Sequence, residues 1–357
     1  VKNPDSLYTP DHKLNRYYIR NYNQNDEEKL IREKNREYTS CKQTLQHAGY
    51  DMVLILNGLF NVETDVCREY GINTFFFEHG YFPNTIQMDH EGVNSDASFA
   101  NLSFTDFLNF TYPASGFNPN TKFIVQKINH NENIRALYRM LDPRYNRFLI
   151  NFINKKRNQD IAKKRFQRDD SEQLDLENIG KYVFFPLQVN SDTQVILNSP
   201  FRSMYEVVEF ILPELVKAGY KVIIKEHPME VEPVDYSPFA YNNNVFLTKK
   251  TDLNTLIRNS EFVVNINSSV GLQSIAKHKK VLLLGSAFYK HNPSCFAVSD
   301  YKDIRKLLKD ISSATVDKTS ISAYIAHFKN HIFIQGHFYN TDINLLEAIR
   351  CRITGKT

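Results

Sequence analysis

"EFVVNINSSVGLQSIAKHKKVLLLG", residues 261–285, contains a complete strand–helix–strand unit. "FVVNI" is a run of strand length, apolar except for Asn265, "SSVGLQSIA" shifts to helical spacing, and "VLLL" is a second apolar run closed by Gly285. Strands that are apolar on both faces belong to parallel sheets covered by helices on either side. The alternation extends outward from this unit. "YVFFPLQV" (182–189), "YKVIIKEHP" (220–228) and "NVFLTK" (244–249) read as strands; "SMYEVVEFILPELVKAG" (203–219), "DLNTLIRN" (252–259) and "DIRKLLKDI" (303–311) read as helices. This order predicts an α/β fold with a doubly covered parallel sheet.

A second βαβ unit lies upstream, in "DMVLILNG" (51–58), "VETDVCREYGI" (62–72) and "NTFFFEHG" (73–80). "SFTDFLNF" (103–110) and "NIRALYRMLDPRYNRFLINFI" (133–153) read as helices, and a charged stretch from Lys155 to Glu177 marks the boundary. The prediction is two Rossmann-like domains in a GT-B-type arrangement. Residues 1–178 are expected to form the first domain, 179–318 the second, and 319–357 helices packing back on the first. Val1 and the polar, aromatic first 40 residues show no opening strand, so the sequence is expected to start inside the first domain.

The 357 residues carry a net charge of +4, too mild to favour nucleic acid. Cys41, Cys67, Cys295 and Cys351 form no CxxC pair, which predicts reduced thiols, no structural zinc and a cytosolic setting. No apolar run approaches the roughly 18 residues of a membrane helix, and no signal peptide is evident. GxGxxG, GxxxxGK[ST] and an Asp-x-Asp triplet are all missing, which argues against dinucleotide and P-loop enzymes and predicts a site without metal or other cofactor.

Candidate chemistry gathers where strands end, since that edge of a parallel sheet opens on the ligand crevice. "KEHP" supplies Lys225, His227 and Pro228; a loop histidine satisfied by backbone is the alternative. In "NINSSVG", Asn267, Ser268, Ser269 and Gly271 make a seat for a phosphate at a helix N-terminus, although capping alone explains one serine. "PLQVNSDTQVILNSPFRS" supplies Gln188, Asp192, Ser199 and Arg202, with turn and helix capping as the alternative for Asp192 and Ser199. "FFFEHGYFPNTIQMDHEGVN" (75–94) delivers Glu78 from the other half, where it can face Asp192 across a cleft. Phe75, Phe76 and Phe77 are expected in the core, and Asp89 is expected to hold its own loop. The basic run Lys155, Lys156, Arg157, Lys163, Lys164 and Arg165 reads as a solvated helix face or as a surface for an anionic acceptor.

Taken in order, "FFEHGYFPNTIQMDHEGVN", "PLQVNSDTQVILNSPFRSM", "KEHP" and "NINSSVGLQSI…KKVLLLG" resemble the capsule polysaccharide biosynthesis proteins of the KpsS and KpsC type, which are retaining β-Kdo glycosyltransferases. The resemblance implies transfer of Kdo from CMP-β-Kdo to a glycolipid or saccharide acceptor during surface polysaccharide synthesis. It makes Asp192 the nucleophile that carries a covalent Kdo, Glu78 the acid/base and His227 a donor-phosphate ligand. Fixed N–H donors, His227 and Lys225 then stabilise the CMP leaving group, and Arg202 is the candidate partner for the Kdo carboxylate. The implied location is cytoplasmic, with peripheral attachment to the inner membrane or to other polysaccharide-synthesis proteins. Rival readings are sialyl or polyol-phosphate transfer from CMP- or CDP-linked donors, and a non-catalytic saccharide-binding domain.

Overall fold

The computed structural model describes residues 27–112 and 173–355, apart from 49, 51, 57–61, 191, 231–233, 241–242 and 337–342. The expected helix at 133–153 and the basic run at 155–165 lie outside the described residues.

The first unit opens with helix α1 (Glu27–Ala48), followed by β1 (Met52–Leu56), α2 (Val62–Tyr70) and β2 (Asn73–His79). β1 and β2 pair in parallel from Met52↔Asn73 to Leu56↔Phe77, as the βαβ reading expects. Phe75 and Phe76 are buried on opposite faces of β2, while Phe77 is half-buried. The chain then departs from a Rossmann pattern. Residues 85–89, read above as part of a loop, form β3 (Thr85–Asp89), which runs antiparallel to β2 with Glu78 opposite Gln87. A short hairpin connection can join only antiparallel strands. Every residue of β3 is buried. Thr85, Gln87 and Asp89 alternate with Ile86 and Met88, the period of a strand, and the polar face is covered as well.

After a short helix α3 (Phe104–Leu108), the described chain resumes before α4 (Leu176–Ile179) and enters the second unit. Its elements are β4 (Val183–Pro186), α5 (Thr193–Asn198), α6 (Met204–Lys217), β5 (Val222–Lys225), β6 (Val245–Thr248), α7 (Leu253–Asn259), β7 (Phe262–Asn265), α8 (Ser269–Ala276), β8 (Lys280–Leu283), β9 (Cys295–Ala297) and α9 (Ile304–Ser313). The six strands are all parallel, in the order β6-β5-β4-β7-β8-β9. This is the doubly wound order, and it reverses between β4 and β7. Residues of β4, β5, β7 and β8 reach zero exposure because helices cover both faces. The loops after β4 and β7 therefore open together at the reversal point.

The C-terminal segment is not purely helical. α10 (Lys318–His327) loosens into a π turn at Phe328–Ile332, then β10 (Phe333–Gln335) joins the first sheet antiparallel to β3, and α11 (Ile343–Thr354) packs over it. The first sheet thus has the order β1-β2-β3-β10. Helical spacing through "AHFKNHI" conceals the change, which follows from burying Phe333 and Ile334 as strand residues. An aromatic cluster of Phe99, Phe107, Phe288, Tyr324, Phe328 and Phe333 ties the segment after β3 to the loop after β8 and to α10. Among the described residues no helix is long and apolar enough to cross a membrane.

Candidate functional site

At the reversal point Gln188 and Asn267 lock the two loops together. Gln188 Nε2 donates to Asn267 Oδ1 (3.1 Å) and to Asp192 Oδ2 (3.0 Å), while its Oε1 accepts from Asn267 N (3.4 Å). Asn267 Nδ2 donates to the Gln194 carbonyl (2.8 Å). Both amides are buried and paired, and these bonds organise the two loops. Asp192 fits both readings given above. Its Oδ1 caps α5 by accepting from Gln194 N (2.9 Å), and Gln188 orients the other oxygen. A carboxylate has about four acceptor positions, so lone pairs remain for a substrate.

His227 begins a turn closed by Glu230 N donating to its carbonyl (3.1 Å), with Pro228 at the position where a fixed φ is favoured. Nδ1 accepts from Met229 N (3.1 Å), so in the neutral ring Nε2 carries the proton. Burial lowers the His227 pKa, and the Asp192 charge partly opposes that shift, which places the two groups within electrostatic reach. Lys225 takes another course. Its ammonium donates to the Lys249 carbonyl and burial lowers its pKa, so the geometry ties it to the loop after β6.

Ser268 caps α8, its Oγ accepting from Val270 N (3.2 Å), and Ser269 follows as the first helical residue. Gly271 is required for a different reason from the one expected. A Cβ there would overlap the Asn265 amide and the Tyr289 hydroxyl, so the close approach that it permits is internal to the protein. Tyr289 Oη in turn donates to the Ser268 carbonyl (2.7 Å) and holds the cap in place. The Ser199 hydroxyl donates to the Val195 carbonyl and accepts from Phe201 N, terminating α5. Arg202 is exposed, and its backbone N–H is bound by the Glu206 carboxylate.

From the first unit, Glu78 stands near the end of β2, half-buried, with Oε1 accepting from the adjacent His79 N (2.8 Å). Asp89 holds its loop, accepting from Glu91 N (2.8 Å), Ser98 N (3.1 Å) and Ser98 Oγ (2.6 Å). Tyr81 is the residue that sequence reasoning missed. Its hydroxyl donates to the Asn267 carbonyl (3.3 Å) and so reaches the second unit. The phenol pKa is raised, first by burial, then by the nearby charges of Asp192 and Glu78. That one hydroxyl senses both carboxylates and also bonds to the loop that holds Asp192.

The family model described as "Capsule polysaccharide biosynthesis protein" matches residues 61–339, a span that includes Glu78, Tyr81, Gln188, Asp192, His227 and the start of α8. The chain belongs to this capsule polysaccharide biosynthesis family. Capsule polysaccharide modification protein LipB of Neisseria meningitidis serogroup A is 23% identical over 304 residues, covering 77% of this chain and 71% of LipB. Protein FixF of Sinorhizobium fredii is 26% identical over 259 residues, 70% of this chain; the match spans about half of FixF (52%). Among solved structures, Thermosulfurimonas dismutans KpsC, a beta Kdo 2,7 transferase, aligns with a TM-score of 0.45 at 13% identity, covering 89% of this chain and 90% of that one. Among the described residues of this family member, hydrogen bonds link Asp192, Gln188, Asn267 and Tyr81 at the reversal point, and His227 lies within electrostatic reach of Asp192. Ser199 and Lys225 are tied to backbone carbonyls.

Proposed function

We propose that this capsule polysaccharide biosynthesis protein is a retaining glycosyltransferase that moves Kdo from CMP-β-Kdo to a glycolipid or saccharide acceptor. The observation that carries the reading is the Asp192 carboxylate, fixed by Gln188 and by the N-terminus of α5 at the sheet's reversal point and sharing that crevice with His227. A doubly wound sheet binds ligands at this point. In the first displacement an Asp192 oxygen attacks C2 of Kdo, the bond from C2 to the phosphate oxygen breaks, and CMP departs. The neutral His227, with its proton on Nε2, supplies a donor for the leaving phosphate, and the positive end of the α8 dipole favours the same anion. In the second, an acceptor hydroxyl attacks C2, its proton passes to Glu78, and the bond to Asp192 breaks. Arg202, exposed next to α6, is the proposed partner of the Kdo carboxylate. The proposed workplace is the cytoplasmic side of the inner membrane, where such an acceptor is assembled.

Intact-mass measurement after incubation with freshly generated CMP-β-Kdo tests the reading. A Kdo adduct mapping to Asp192 and missing in Asp192→Asn is the expected result. An adduct only with CMP-sialic acid, or none with any CMP- or CDP-linked donor, would replace the reading with sialyl transfer or with a binding role.

A further inference from the structure

Tyr81 occupies a place that the two displacements leave without a task. Gly80, just before it, cannot carry a Cβ without overlapping Thr85, and Gly80 N donates to the Thr85 carbonyl (2.7 Å). Thr85 Oγ1 then donates to the Phe82 carbonyl (2.7 Å), and Asn84 completes the turn at φ 54°. Tyr81 is therefore held stiffly to the end of β2, close after Glu78. Its ring packs on Phe288 (centroids 4.6 Å apart) and edge-on to Tyr289 (6.2 Å), both in the loop after β8. Its hydroxyl meets the Asn267 carbonyl, and the side chain of Asn267 is gripped by Gln188, the residue that orients Asp192. Gln273 Nε2 in α8 also donates to the Tyr81 carbonyl (3.5 Å), whereas Ser95 Oγ to the Ser286 carbonyl (2.8 Å) and Lys290 Nζ to Asn101 Oδ1 (2.8 Å) fasten the segment after β3.

We infer that Tyr81 is a positioning residue whose bond to Asn267 sets the placement of Glu78 relative to Asp192, so that it governs the second displacement and leaves the first unaffected; this rests on the double-displacement reading above. The asymmetry follows from the geometry. Asp192 takes its bonds from Gln188 and Gln194 within the second unit, so attack on the donor needs nothing from Tyr81. Resolution of the adduct does need Glu78, which arrives from the first unit. In that step water or acceptor oxygen bonds to C2, its proton passes to a Glu78 oxygen, and the electrons of the bond from C2 to Asp192 return to the carboxylate.

Water serves as the nucleophile in the test, so no acceptor has to be known. The full chain is mixed with CMP-β-Kdo; the burst of CMP release reports adduct formation, and intact mass against time reports adduct decay. Tyr81→Phe keeps the ring and removes the hydroxyl. Its burst is expected within about threefold of the unsubstituted protein and its decay slowed about tenfold or more, the scale of a small misplacement of a reacting group. Glu78→Gln should show the same one-sided pattern, more strongly. Equal slowing of both phases in Tyr81→Phe, or decay at the original rate, would overturn the role of Tyr81 while leaving the reading intact. Absence of any adduct in the unsubstituted protein would instead remove the reading itself, and the inference with it.

Discussion

His227 shows how a single residue reports its surroundings. Its folded pKa lies below the usual 6.5 because burial disfavours the imidazolium, and the Asp192 charge pulls the other way. Between the lowered value and 6.5 the unfolded chain holds the extra proton. This histidine's contribution to stability is therefore complete above 6.5 and is lost as the pH falls through that window. Asp192→Asn removes the opposing charge, so the His227 pKa is expected to drop further, read from the ring-proton shift in an NMR titration. A rise or no change would show that the two groups do not share a crevice. At this scale the sequence was informative about Asp192 and His227, since residues at the ends of buried strands can be identified from the strands. Tyr81 could not be found in this way. Its partner, the Asn267 carbonyl, lies 186 positions away and is a backbone group that no residue type announces.

Among the elements, α8 depends most on its neighbours. Gly271 sits inside it against Asn265 and Tyr289, and Gly271→Ala is expected to destabilise the fold by about 1–3 kcal/mol through overpacking. A lowered denaturant midpoint with unchanged slope would show this; an unchanged midpoint would mean that Tyr289 moves aside freely. The ends of other helices show a pattern the sequence only half reveals. Lys221 Nζ donates to the Ile179 carbonyl (2.6 Å), Lys279 Nζ to that of Ser260 (2.7 Å) and Lys280 Nζ to that of Ile311 (2.5 Å). Each lysine stands at the start of a strand and satisfies a carbonyl at or near a helix C-terminus, where cations are favoured. In sequence they look like surface charge. Helix and strand periodicity carried most elements correctly, but the reading missed the three-residue β9 and also β3 and β10, where polar or aromatic residues are covered by contacts from distant parts of the chain.

Over the whole molecule, the return of the C-terminus to the first sheet depends on Arg352. Its guanidinium donates to the carbonyls of Met88 (2.9 Å), Ile332 (3.0 Å) and His331 (2.8 Å), and lies 3.8 Å from the centre of the Tyr112 ring. Arg352→Met preserves bulk but leaves these carbonyls without their donor, so a loss of about 2–3 kcal/mol is expected. Arg352→Lys should not restore it, because one ammonium cannot reproduce a planar fork over an aromatic ring. Chemical denaturation of both variants measures this, and full recovery by lysine would reduce the role of Arg352 to charge alone.

The sequence by itself determined the doubly wound second unit, the βαβ start of the first, and the set of loops that could hold chemistry. These follow from local periodicity and from the rule that parallel strands open at one end. Tertiary structure alone decided which polar residues remain available there. Gln188, Asn267 and Ser199 have the right chemistry for a ligand, yet the fold pairs them with one another or with backbone, while Asp192 keeps acceptor capacity and His227 keeps an Nε2 donor. Hydrogen-bond satisfaction depends on which groups come to lie opposite each other in space. That is settled only when both sheets close around the aromatic cluster between them.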